Sequence, residues 1–165
     1  MSEFKKIMVA LVFSDYSQEL FDFAARMAGR LDADMVAVNV INERDVAAVA
    51  TITSMGYDID GEHYIENLRN DRRESLEAFR RKIAFPDERI KLVVRVGNPV
   101  QKLLQTALEE KVDLIVMGIK GRSELEHLFV GSVADKMFQR SPVPIVSYRD
   151  RETAARMKKR IHPEV

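Results

Sequence analysis

The chain has 165 residues, and lysine plus arginine equals aspartate plus glutamate at 26 each, so the formal net charge is zero. That length suits one domain with a sizeable core, and a balanced charge offers no global basic field to gather nucleic acid. With 46% apolar and 32% charged residues the composition is that of a folded domain, and the absence of cysteine excludes disulfides, thiolate metal sites and cysteine nucleophiles. No apolar run approaches the roughly 20 residues that span a bilayer. Met1 to Lys6 carries Glu3 and two lysines where a signal peptide needs an apolar segment. The expectation is a cytoplasmic protein with no nucleic-acid and no membrane partner.

Taken in order, Lys6 to Phe13 is apolar without a break from Ile7 and predicts a strand covered on both faces. Ser14-Asp15-Tyr16-Ser17 is a turn, with Ser17 as the expected N-cap. Leu20, Phe21, Ala24, Met27, Ala28 and Leu31 then recur at helical spacing. Met35 to Ile41 predicts a second strand, so the first crossover is a right-handed β–α–β unit. The next crossover, Asn42 to Arg89, has room for more than one helix. Asp45 to Met55 is a short helix or a loop, and its apolar Val46–Ile52 run would cover a crevice or meet a partner. Gly61 to Ile83 is a helix with Ile65, Leu68, Leu76, Phe79 and Ile83 as its stripe, interrupted by a charged stretch at Asn70 to Ser75 and stopped by Pro86.

Ile90 to Val96 predicts the third strand. Gly97-Asn98-Pro99 is a helix start, with asparagine as cap and proline in the first turn, followed by the stripe Val100, Leu103, Leu104, Ala107 and Leu108. Val112 to Met117 predicts the fourth strand, and a helix runs from Ser132 to about Arg140. Pro142 to Tyr148 predicts the fifth strand, at an edge, where prolines remove no needed donor. Asp150 to Arg160 is a charged, helical tail. Residues 1–149 therefore form one α/β domain, a mostly parallel five-stranded sheet with helices on both faces, and 150–165 form the tail.

The fourth strand leads into the most glycine-punctuated part of the chain: Gly118, two residues, Gly121, nine residues, Gly131 and then Ser132. A helix that opens at Gly131-Ser132 presents backbone N–H groups without intrahelical partners, together with the positive end of its dipole. Such a turn is a candidate phosphate seat, with Lys120 and Arg122 placed to balance charge. A glycine-bearing connection that holds nothing has the same spacing.

This loop resembles the signature of the universal stress protein family, which is Gly, two residues, Gly, nine residues, Gly and Ser or Thr. The flanks resemble it too: Asp113 to Gly118, Gly131 to Lys136, Ser141 to Val146, and the helix start at Gly97-Asn98-Pro99. The resemblance covers residues 4 to 149. It implies strand order 3-2-1-4-5, a homodimer through Pro142 to Tyr148, and an adenine nucleotide as ligand, namely ATP with Mg²⁺ or Mn²⁺. By the same resemblance Gly118, Gly121, Gly131, Ser132 and Val133 would hold ribose and phosphates, assisted by Lys120 and Arg122, and Met117 and Val12 would also belong to the nucleotide site. Val40 would meet adenine through its backbone.

Binders in this family carry Asp at the end of the first strand. Here Val12 stands there, and Asn39 stands where many members have His. A lost charge-assisted contact costs about 1–3 kcal/mol. Two alternatives therefore accompany the nucleotide-binding regulator: a homodimeric interaction protein with weak or no ATP binding, and a slow ATPase. No Gly-x-x-x-x-Gly-Lys-Ser/Thr run exists, His63, His127 and His162 are dispersed, and no serine has an evident His–Asp pair, so a dedicated enzyme has no support in the residues.

Overall fold

The structure, a computed structural model, describes residues 3–56, 61–119 and 131–162. The elements run in chain order as β1 (Lys6–Leu11), α1 (Ser17–Leu31), β2 (Asp34–Asn42), α2 (Glu43–Ser54), α3 (Gly61–Arg80), β3 (Ile90–Gly97), α4 (Pro99–Glu109), β4 (Leu114–Gly118), α5 (Ser132–Arg140), β5 (Ile145–Tyr148) and α6 (Arg151–Ile161). The strands form one parallel five-stranded sheet in the order β3-β2-β1-β4-β5.

Successive strand residues point to opposite faces, so the apolar runs feed two cores. On one face Ile7, Val9 and Leu11 meet Phe21, Ala24 and Ala28 of α1 and Leu76 of α3. On the other, Met8, Ala10, Val36 and Val38 meet Val100 and Leu103 of α4 and Ala134 and Met137 of α5. The start of β1 is tied to the start of β4 by one side chain: Asp113 Oδ2 accepts from the Lys5 and Lys6 amides at 2.8 and 2.9 Å.

Several boundaries differ from those the sequence predicts. Strand β1 ends at Leu11, and Phe13 adopts a left-handed φ of 53°, which no parallel strand tolerates. Ser17 is the first helical residue and Tyr16 takes the cap position. The Ser17 hydroxyl reaches back to accept from the Ser14 amide at 2.8 Å. Helix α3 stops at Arg80, ahead of the break expected at Pro86, and a 3-10 turn at Asp87–Arg89 leads into β3. Of its stripe only Leu76 is buried. Segment 43–54 is a helix, capped by Asn42 and without a buried residue. Leu108 of α4 is 65% exposed, so that stripe is narrower than its spacing implies. The prolines precede β5, and the Pro144 carbonyl accepts from the Ile115 amide at 3.0 Å.

The charged tail is better anchored than its composition suggests. Asp150 caps α6 by accepting from the Thr153 amide at 2.8 Å and the Thr153 hydroxyl at 2.7 Å, and both residues are buried. Tyr16 donates to Glu152 at 3.0 Å, and Tyr148 donates to Glu19 at 3.1 Å. Burial, followed by the Glu19 carboxylate, raises the Tyr148 pKa above its ordinary 10.0. The stability linked to that proton is complete below pH 10 and lost as pH rises through the raised pKa. Tyr148→Phe should therefore flatten the alkaline limb of the stability–pH curve, read by denaturant unfolding.

Two glycines make a matched test of the backbone. Gly97 has φ +145°, and a Cβ there would lie 2.7 Å from Cε of Lys102. Gly29 sits inside α1, where a Cβ would meet only Phe85 at 3.9 Å. Gly97→Ala should destabilise by about 1–2 kcal/mol and Gly29→Ala should stabilise by about 0.5–1 kcal/mol, measured by urea unfolding.

Candidate functional site

The site is built where the strand order reverses. From β1 the chain crosses to β2 and β3 on one side, then returns to β4 and β5 on the other. In open α/β sheets the crevice at the carboxyl ends of the two central strands is left free by their diverging connections. Leu11 lies opposite Asn39 and Ala10 opposite Met117, so Val12, Val40 and Gly118 follow at the same end of three adjacent strands. The Val12–Ser17 turn and the end of β4 therefore face one crevice, as a β1–β4 pairing requires.

Val12 is 40% exposed at the mouth of this crevice. The left-handed Phe13 behind it turns the chain out of the sheet and sends the ring toward α3. There it packs on Phe79 at 5.6 Å between centroids, with the Arg72 guanidinium 5.1 Å from its own centroid. A bulky residue in that conformation costs on the order of 1–2 kcal/mol and persists only where packing imposes it.

Beneath Val12 lies a residue to which spacing alone assigns no role. Asn39 is 2% exposed, and its Nδ2 donates to the Leu11 carbonyl at 2.8 Å. Its Oδ1 is buried without a hydrogen-bond partner among the described residues. The only local signal is one polar residue inside an apolar strand. The bond pins the last carbonyl of β1 and so fixes where Val12 emerges.

Across the crevice, Met117 is buried in the core and can face a ligand only through its backbone. Gly131 is buried and caps α5 with φ −59° and ψ 148°, a conformation open to any residue. Its amide donates to the Ile119 carbonyl at 2.7 Å, and its carbonyl accepts from the Asp135 amide at 2.9 Å. The first bond joins the two ends of the glycine loop. With the Gly131 amide so used, the amides of the first turn without a partner inside the helix are those of Ser132, Val133 and Ala134. Ser132 is exposed, and Val133 is half-buried against the core beside α4. Lys120, Gly121, Arg122 and His127 lie outside the described residues. Among the described residues no three His, Cys, Asp or Glu side chains gather as a metal cage, and no helix is long and apolar enough to cross a membrane.

This arrangement has relatives. A model of the universal stress protein family matches residues 3–149. The chain belongs to the universal stress protein family. It is 31% identical over 150 residues to the universal stress protein YxiE of Bacillus subtilis, covering 88% of this chain and 99% of that protein. It is 21% identical over 151 residues to the universal stress protein MJ0577 of Methanocaldococcus jannaschii, covering 87% and 93%. The solved structure of MJ0577 superposes with a TM-score of 0.69 at 20% identity, covering 89% of this chain and 98% of that one. A universal stress protein solved in complex with cAMP superposes at 0.58 with 22% identity, covering 88% and 97%. At these identities the structural likeness establishes the fold, and the universal stress topology is the one expected from the glycine signature.

Asn39 offers the cleanest test of how the crevice is held. Asn39→Ala removes the partner of a buried carbonyl and should destabilise by about 1–3 kcal/mol. Amide hydrogen exchange should rise around Val12 and Phe13 more than in β3.

Proposed function

We propose that this universal stress protein is a regulator that binds an adenine nucleotide, ATP carrying Mg²⁺, in the crevice between the ends of β1 and β4. The observation that carries the reading is the start of α5. A nine-residue helix opens on that crevice with the Ser132, Val133 and Ala134 amides unpaired within the helix, directly behind a glycine signature. Fixed amide dipoles at a helix start suit a polyanion. The Ser132 hydroxyl adds a donor, and Lys120 and Arg122 of the loop add charge. The backbone of Val40 and of Met117-Gly118 lines the base and ribose end. Mg²⁺ would arrive on the phosphates and keep several of its own waters. The family relative with cAMP bound supports an adenine ligand for this fold.

The protein would act in the cytoplasm as a homodimer through the Pro142–Tyr148 edge. Strand β5 pairs on one side only, with β4, and an unpaired parallel edge invites a second copy. A monomeric mass at micromolar concentration by sedimentation would overturn the dimer.

ATP at a hundred times its Kd should add ~2.7 kcal/mol to unfolding stability. Ser132→Pro is the discriminating variant. Proline suits the first helical position, and the extended Gly131 before it is already compatible, so the fold should hold while one amide and one hydroxyl are lost. The stabilisation by ATP should then shrink. No shift with millimolar Mg-ATP on the unsubstituted protein would overturn the reading.

A second reading rests on Val12 and on the Gly131 amide already held by Ile119. Both weaken the site, and they favour an interaction dimer that uses little ATP. Val12→Asp separates the two. It should tighten ATP by roughly ten- to hundredfold in calorimetry if the missing carboxylate is the cause. Unchanged weak binding would remove Val12 as the explanation.

A further inference from the structure

A second concavity lies at the opposite end of the sheet. Helix α1 covers β1 and its neighbours, but β5 is an edge strand, and Val146 and Tyr148 on its α1 side are only partly buried. The Tyr148 ring packs on Phe23 at 4.9 Å between centroids. Phe23 also lines an open cleft of about 440 Å³. Leu114 and Val146 form its floor, and Phe4, Phe23, Met27 and Leu31 form its walls. Phe4 precedes β1, Leu114 opens β4, and Leu31 ends α1, so the cleft sits at the amino ends of the strands, away from the nucleotide crevice.

The mouth carries charge of one sign. Arg26 and Arg30, one helical turn apart on α1, both line the cleft. Arg26 pairs with Asp22. Among the described residues Arg30 pairs with no carboxylate, and its side chain is exposed. A pocket of a few hundred Å³ with apolar walls and one or two convergent polar groups is the usual form of a small-ligand site. A planar guanidinium at its mouth selects a carboxylate, which it can bind through two parallel hydrogen bonds.

We propose that this cleft binds a medium-chain fatty acid, its alkyl chain lying along Leu114, Val146 and Met27 and its carboxylate on Arg30. The wall side chains of Phe4, Phe23, Met27 and Leu31 are apolar, and Arg30, which among the described residues pairs with no carboxylate, matches a single negative head. The site is independent of the nucleotide reading and should bind equally with or without ATP.

The test is calorimetric titration of the full chain with dodecanoate, dodecanol and dodecyltrimethylammonium. Dodecanoate should bind tightest, with one molecule per chain. Removing methylenes from the carboxylate should weaken binding about three- to fourfold each. Arg30→Gln, on the exposed side of α1, should weaken dodecanoate about tenfold or more and leave dodecanol unchanged. Met27→Glu should abolish both, with circular dichroism checking that the fold is kept. The proposal is overturned if dodecanoate does not bind at millimolar concentration. It is equally overturned if the alcohol and the cation bind as well as the acid. A dimer that neither binds dodecanoate nor is dissociated by it would show that a second copy fills the cleft, and that too overturns it.

Discussion

The parallel pairing of β1 with β4 is the contact on which the rest of the molecule depends. It places at the centre of the sheet two strands whose connections leave in opposite directions, and so it opens a crevice at their carboxyl ends. It also requires that both faces of the sheet be covered, because the central strands are apolar on both sides. Helices α1 and α3 cover one face and α4 and α5 the other. The Asp113 carboxylate, bonded to two consecutive amides at the head of β1, sets the level at which the two strands meet.

What happens at the far end of that pair determines the site. Asn39 holds the last carbonyl of β1, and Phe13 is forced into a left-handed turn by its packing on α3. Together they present Val12 at the edge of the crevice rather than within the sheet. On the other side the Gly131–Ile119 bond brings the start of α5 to the end of β4. The crevice thus has an apolar lip on the β1 side and a fan of amide donors on the α5 side.

The alternation of connections and the unbroken apolar runs made the α/β class legible, since a strand buried on both faces leaves no polar alternation to mistake for anything else. The helix starts at Asn98 and Ser132 were also legible, because capping and glycine signals are local. The stop of α3 and the cap of α1 were not. Arg80 ends the helix in i→i−3 turns ahead of Pro86, and Ser17 bonds back to Ser14 instead of forward into the helix. The buried role of Asn39 was hidden because its partner is 28 positions away in the chain.

The residues by themselves determined which segments pair into a sheet, that its faces need helices, and that a glycine-bearing turn precedes a helix. These follow from hydrophobic periodicity and short-range backbone chemistry, which act over a few residues. Only the tertiary structure decided that the Gly131 amide is taken up by Ile119, where Val12 emerges, and that an apolar cleft opens beneath the β5 edge beside Arg30. Those depend on which side chains meet after the chain has crossed the sheet, and no local rule specifies them.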